Sequence, residues 1–116
     1  MDIYHVWCNL KAGTGDVLFC ERAAAYLGQL RDEKMIAGFR ITRRKLGFGP
    51  PQLGEFHIAI EVNDLAQLEA AFQNVARRAG PIEGLHQQVN SLVTDLSFAL
   101  YRDFPDAIRQ RGEERF

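Results

Sequence analysis

Aliphatic and aromatic residues alternate with smaller or polar residues between positions 55 and 62, and this alternation constrains the fold more than any other feature. The first set comprises Phe56, Ile58, Ile60 and Val62; the second comprises Glu55, His57, Ala59 and Glu61. A period of two places successive side chains on opposite sides of an extended chain. The segment therefore predicts a β-strand with one face against a core.

Three further strands are predicted at residues 3–10, 35–45 and 95–102. The first is rich in β-branched and aromatic residues, and in all three the two sets of side chains separate by alternation. Residues 46–54 contain three glycines and two prolines, so this stretch is predicted to be a loop rather than a strand.

Helical spacing of apolar residues predicts three helices. The first runs to about Asp32, with Asp16 near its start and an apolar stripe of Cys20, Ala23, Ala24, Leu27 and Leu30. The second covers residues 64–79; Asp64 and Gln67 resemble a capping box at its start, and Gly80-Pro81 is expected to end it. A short third helix is indicated by Ile82, Leu85, Val89 and Leu92.

The order strand, helix, strand, strand, helix, short helix, strand is that of an α+β, ferredoxin-like βαββαβ fold with an extra helix before the last strand. Right-handed crossovers place the first and third strands at the centre of a four-stranded antiparallel sheet, with both main helices on one face. We expect a single domain over residues 1–106. The polar stretch 107–116 is expected to form a C-terminal tail that frays or reaches a neighbour.

Composition narrows the classes of function. The chain has 116 residues, 47% of them hydrophobic, and 14 Lys plus Arg against 15 Asp plus Glu. This balance is typical of a globular domain and disfavours a nucleic-acid partner. No signal peptide or membrane-spanning stretch is evident, so we expect a soluble, cytoplasmic protein without a membrane partner. Cys8 and Cys20 are interpreted as small buried hydrophobic residues.

The sheet face without helices carries an unusual set of side chains. It comprises His5, Trp7, Asn9, Arg40, Thr42, Arg44, His57, Ala59, Glu61, Ser97, Ala99 and Tyr101. Large aromatic residues on an uncovered face indicate a partner or a ligand. The face either packs against a second copy or stacks nucleic-acid bases, as in RNA-recognition modules. Lys45-Leu46-Gly47-Phe48-Gly49 is superficially similar to the RNA-binding motif of such modules, but Pro50-Pro51 interrupts it.

The chain resembles the dimeric α/β-barrel superfamily, in particular its stress-responsive and uncharacterised bacterial branches. The resemblance rests on the strand at residues 4–10 with the glycine break and helix after it, on the strand at 56–62 leading into a helix, and on the segment around His86. It implies a homodimer formed through the sheets, with a pocket between each sheet and its surrounding elements. Coenzyme-free monooxygenases, haem-degrading enzymes and cyclases belong to that superfamily. The His-Pro-x-His stretch of some relatives is absent; Gly84-Leu85-His86-Gln87 stands there.

The leading hypothesis is a homodimer that binds a small, partly apolar molecule on the uncovered face. The predicted ligand-binding residues are His5, Trp7, Asn9, Arg40, His57 and Tyr101. The first alternative is a cofactor-free monooxygenase or polyketide-type cyclase with His57 or His86 as its base, because histidine titrates near working pH. The second alternative is a purely structural dimer with a filled interior. His5 and His57 are then interface residues.

No metal ion and no cofactor are predicted. Glu61 lies four residues from His57, about 13 Å along a strand, which is too far for one ion shared with His5 and His57. The basic run Arg40, Arg43, Arg44 and Lys45 is either an anion clamp or a charged strand end that blocks edge pairing. Phe48 is either a lid over a ligand or a loop aromatic packed on its own domain.

Overall fold

The computed structural model describes residues 1–78 and 80–112 and has the predicted α+β, ferredoxin-like architecture. Its elements, in chain order, are β1 (Asp2–Leu10), α1 (Asp16–Asp32), β2 (Gly38–Arg43), β3 (Phe56–Val62), α2 (Leu65–Ala76), α3 (Gly80–Asn90) and β4 (Val93–Arg102). The four strands form one antiparallel sheet in the order β2-β3-β1-β4. The first and third strands are therefore central, as the crossover rule predicts.

The core lies between one face of this sheet and the three helices. Cys8, Phe56, Ile58 and Val62 point from the central strands into it, and each helix buries at least one apolar side chain against them: Phe19, Ala23, Leu27 and Leu30 from α1, Leu68 from α2 and Ile82 from α3. The aliphatic set identified by alternation thus faces the helices. The opposite set of side chains lies on a sheet face that none of the three described helices covers.

The buried stripe of α1 differs by one residue from the predicted one. Phe19 is fully buried and packs edge-on against the ring of Phe56, whereas Cys20 is exposed. The larger aromatic side chain takes the inward position because it fills more of the space against the sheet. The prediction that both cysteines are buried is therefore wrong for Cys20 and correct for Cys8, and both thiols are free.

Local backbone geometry shifts the boundaries of two strands. β2 begins at Gly38 instead of residue 35, because the chain leaves α1 through a left-handed turn at Lys34 and first pairs with β3 through a bond from Ala37 to Glu61. β4 begins at Val93 instead of residue 95. A bulge at Asp95, which has a positive φ, lets Thr94 and Val93 pair with β1 before the predicted start of the strand.

The α2–α3 junction also differs from the prediction. α2 ends at Ala76, and the predicted end at Ala79 lies outside the described residues. Gly80-Pro81 begins α3 instead of ending α2, since proline in a first helical turn lacks only an N–H that has no helical partner there. The capping box is present: Asp64 accepts a hydrogen bond from the Gln67 backbone, and the Gln67 side chain accepts one from the Asn63 backbone.

The structure also bears on membrane insertion and on the predicted C-terminal tail. None of the helices in the described part of the chain combines the length and apolar character that crossing a bilayer requires. The predicted tail at 107–116 lies partly outside the described residues, which end at Gly112, and the domain boundary at residue 106 stays a prediction.

Candidate functional site

Side chains on the uncovered sheet face, here called the open face, stand in rows fixed by strand register. One row contains Thr42, His57, Trp7 and Ser97, the next contains Arg40, Ala59, His5 and Ala99, and the third contains Gly38, Glu61, Ile3 and Tyr101. The aromatic residues and histidines predicted to share this face are therefore brought together on it.

His5 and His57 form a direct hydrogen bond at the centre of the open face. His5 Nδ1 and His57 Nε2 are 2.8 Å apart, so one ring donates an N–H and the other accepts. Trp7 stacks on His57 with ring centroids 4.8 Å apart, and Tyr101 meets His5 edge-on at 5.1 Å. Burial, and then the charge of a protonated His5, lowers the pKa of His57 below its ordinary value. This shift favours the neutral form of the His57 ring.

Asn9 makes structural bonds at the end of the open face. Its Nδ2 donates to Asp95 Oδ2 at 3.1 Å, and its Oδ1 accepts the Glu55 backbone N–H at 2.8 Å. Asn9 thereby ties the bulge of β4 to the start of β3. Both ends of the amide are occupied within the chain, although the sequence suggested a ligand contact.

The basic run divides into residues with different partners. Arg43 points to the helix side, where it bonds Asp16 at 2.9 Å and Glu55 at 3.1 Å. Arg44 donates to the Pro50 and Leu53 carbonyls and so holds the loop at 46–54. Phe48 at the tip of that loop is 81% exposed, so it is not packed on the described part of its own domain. Arg40, which belongs to the predicted ligand-binding set, is exposed on the open face.

The helix side of the sheet contains an apolar cavity of about 260 Å³. Its walls come from β1, β3 and β4 and from all three helices, and within residues 1–78 and 80–112 no Asp, Glu, Lys or Arg side chain lines it. At one end Tyr26 of α1 and His86 and Asn90 of α3 supply polar groups. Phe72, Leu96 and Phe98 line it as well and are each about half exposed, which places its mouth between the helices and β4.

Tyr26 and His86 form the polar end of this cavity. Their ring centroids are 5.4 Å apart. Burial, and then the negative charge of Glu83, raises the pKa of Tyr26 to about 12, so the phenol stays protonated. Glu83 accepts a bond from the Gln87 side chain at 2.7 Å through Oε1. Its Oε2 is buried and has no hydrogen-bond partner among the described residues.

The sheet separates the two histidines that were predicted as bases. His57 lies on the open face, and His86 lines the cavity on the other face. His5, Trp7, Asn9, Arg40 and Tyr101 do not line that cavity either. Sequence reasoning missed Tyr26, although a hydroxyl-bearing ring three residues after Ala23 and four before Leu30 lies on the buried side of α1.

A metal centre is not formed by the side chains that the structure describes. Within residues 1–78 and 80–112, no three His, Cys, Asp or Glu side chains lie close enough together to share an ion. Glu61 lies over Gly38, away from the histidine pair, where a Cβ on that glycine would approach its Oε2 to 3.3 Å. His5 and His57 therefore form a hydrogen bond with each other, and no third side chain able to bind a metal lies beside them among the described residues.

Solved structures of similar fold extend over most of the chain. The protein At3g17210 from Arabidopsis thaliana is 9% identical, with a TM-score of 0.70 over 93% of this chain and 100% of that one. A dimeric ferredoxin-like protein of unknown function from Jannaschia sp. CCS1 is 15% identical, with a TM-score of 0.62 over 89% and 100%. SnoaB, a cofactor-independent oxygenase from Streptomyces nogalater, compared as its N63A mutant, is 10% identical, with a TM-score of 0.61 over 93% and 98%.

These structural likenesses support the predicted ferredoxin-like fold. A comparison with curated protein sequences gives no match. A family model described as a family of unknown function, DUF6614, matches residues 1–116. Because that match spans the whole sequence, the chain belongs to the family of unknown function DUF6614.

Proposed function

We propose that this protein binds a small, uncharged and mostly apolar molecule in the cavity between the sheet and the helices. The observation that carries the proposal is the lining of that cavity. It is mostly apolar, it includes the polar side chains of Tyr4, Tyr26, His86 and Asn90, and no Asp, Glu, Lys or Arg among the described residues contributes to it. Ligand sites are typically apolar with a few placed polar groups. The volume of about 260 Å³ suits a molecule of one or two rings with a hydroxyl or carbonyl directed at His86 and Tyr26.

The same proposal assigns the open face to a second copy of the chain. Trp7, Tyr101 and the histidine pair form a large aromatic surface without a cover, and such surfaces on soluble proteins are typically interfaces. The dimeric protein from Jannaschia sp. with the same fold supports this reading. Ligand and partner then occupy opposite faces of one sheet. Sedimentation velocity or light scattering that finds a monomer at micromolar concentration would overturn the dimer.

Calorimetric titration with naphthol tests the cavity. Ala71 of α2 is buried and lines the cavity, whereas its neighbour Ala70 is exposed. Ala71→Leu adds three carbons to the cavity, so we expect naphthol affinity to fall about tenfold, while Ala70→Leu leaves it unchanged. Naphthoate, which carries a charge, should bind more weakly than naphthol to the wild type. Equal affinities in the two variants, or no naphthol binding, would contradict the site.

A second candidate function is cofactor-free oxygenation or cyclisation in the same cavity. It is favoured by the Tyr26–His86 pair, which places a base beside a protonated phenol, and by the likeness to SnoaB. His86 would remove a proton from an enol or phenol of the substrate. In the oxygenase case dioxygen would supply one oxygen atom to a CH₂ group, which becomes a carbonyl, and the second atom would leave as water.

The two predicted histidine bases serve as controls for each other, because they lie on opposite sides of the sheet. Oxygen uptake and product formation would be followed with anthrone-type substrates, and cyclisation with linear polyketide analogues. We expect His86→Gln to lower turnover by a factor of about 100 or more and His57→Gln to leave it intact. Turnover that depends on His57 and not on His86 would contradict the assignment.

A further inference from the structure

We infer that the open face selects a second copy of this chain through two reciprocal ion pairs, each joining Arg40 of one protomer to Glu61 of the other. The inference rests on the proposed dimer and adds the residues that specify it. In a two-fold interface a residue that meets a second residue of the partner is itself met in return. One cation and one anion on the same face are therefore sufficient to make that face complementary to itself.

Arg40 and Glu61 are the charged side chains in the three rows that make up the open face. The other side chains in those rows are aromatic, aliphatic, hydroxyl-bearing or members of the hydrogen-bonded histidine pair. The charged residues at the end of the face, Arg44 and Glu55, are engaged within the chain, Arg44 with loop carbonyls and Glu55 with Arg43. The face thus offers one positive and one negative group to whatever covers it.

Neither charge is satisfied within its own protomer. Arg40 stands opposite Ala59 and Glu61 opposite Gly38, so the two residues are diagonal neighbours on β2 and β3. Diagonal neighbours in a sheet can reach each other when their side chains are long. Even so, no ion pair or side-chain hydrogen bond is formed by Arg40 or Glu61 among the residues that the structure describes.

Binding of a partner that left Arg40 and Glu61 buried and unpaired would be strongly disfavoured, because a buried charge needs a group of opposite sign beside it. A partner surface that is purely apolar, or that carries charges of one sign only, is therefore unsuitable. A second copy presents Glu61 to Arg40 and Arg40 to Glu61 at once. For both pairs to form, the two-fold axis lies in the plane of the interface, midway between the positions of Arg40 and Glu61. It then runs diagonally across the sheet close to His5, so the aromatic residues beside His5 lie within the same interface.

Charge reversal tests this pair directly. Arg40→Glu gives a face with two anions, and Glu61→Arg gives a face with two cations, so each single variant repels its own copy. Like charges brought together at an interface oppose association strongly, and we expect the dimer Kd of each single variant to rise about a hundredfold. An equimolar mixture of the two variants restores both opposite-charge contacts and should form a heterodimer with nearly wild-type affinity. Sedimentation equilibrium with one variant carrying a mass tag measures this.

The controls separate failure of the pair from failure of the dimer. Lys45→Glu changes the net charge as much as Arg40→Glu does, but it lies beyond the end of β2, so it should leave the dimer Kd unchanged. A mixture that associates no better than its components would overturn the ion pairs while the wild-type dimer stands. A wild-type monomer would overturn the dimer and the pairs together. Circular dichroism of each single variant verifies that it is folded before mixing.

Discussion

His5 Nδ1 lies 2.8 Å from His57 Nε2, and this bond joins the two central strands across the open face. Trp7 and Tyr101 enclose the pair, and Thr42 Oγ1 lies 3.4 Å from the other nitrogen of His57. The bond requires one ring nitrogen with a hydrogen and one without. When both rings are protonated, both facing nitrogens carry hydrogens and the bond is lost. The protonation of His5 and His57 therefore determines whether this hydrogen bond between the two central strands forms.

The first prediction concerns stability against pH. The pKa of His57 is lowered below the ordinary value of 6.5 in the folded protein, so the unfolded chain binds more protons between the two values. The contribution of His57 to stability is therefore fully present above pH 6.5, and it is lost as the pH falls towards the pKa of His57 in the folded state. Thermal unfolding at about pH 7.5 and about pH 5.5 should show a drop in Tm that shrinks in His57→Gln. An equal drop in His86→Gln and in wild type is the matched control, and an undiminished drop in His57→Gln would contradict the prediction.

The sheet and its two faces could be predicted because alternation is a local property of the sequence. Residues 56–62 show their inward and outward sets directly, and the capping box at Asp64 is fixed by residues only three positions apart. The cavity could not be predicted in the same way. Its existence depends on how far α2 and α3 lie from β4, a distance that no local pattern encodes.

The individual site residues illustrate the same limit. Asn9 shares its face with the aromatic cluster, but its amide bonds Glu55 and Asp95, 46 and 86 residues away. Arg43 belongs to a run of basic residues, yet α1 and the start of β3 provide its partners. Alternation gives the face of a side chain, whereas its partners follow from contacts between distant segments.

A second prediction separates two asparagines. Asn9→Ala removes the acceptor of the Glu55 N–H and the donor to Asp95, so we expect a loss of about 1–2 kcal/mol in the free energy of unfolding, with naphthol affinity unchanged. Asn90 lines the cavity and is exposed, so Asn90→Ala should weaken naphthol binding with little change in stability. Urea unfolding and calorimetry measure the two quantities. Weaker naphthol binding in Asn9→Ala at unchanged stability would restore the ligand role that the sequence suggested.

A third prediction concerns the end of the loop before β3. Gly54 is buried, and a Cβ at this position would overlap the backbone of Cys8. Neither main chain can move without breaking the pairing of β1 with β3, so Gly54→Ala should cost about 3 kcal/mol. Gly84 of α3 faces open space, and Gly84→Ala should leave stability unchanged or raise it by up to about 1 kcal/mol. Urea unfolding of both variants and of the wild type provides the measurement. A Gly54→Ala variant as stable as the wild type would show that the loop moves to accommodate the added carbon.

The last prediction tests the rotation of α1 against the sheet. Cys8 is 1% exposed, and burial raises the pKa of its thiol to about 11, whereas Cys20 lies on the exposed side of α1. Iodoacetamide reacts with the thiolate, so the native protein should take up one adduct, on Cys20, and the unfolded protein two. Cys20→Ser should take up none in the native state. Because successive helical residues are about 100° apart, a helix turned to bury Cys20 would expose Phe19 instead. Peptide mass spectrometry that finds Cys20 protected in the native protein would show that α1 packs in the orientation the sequence predicted.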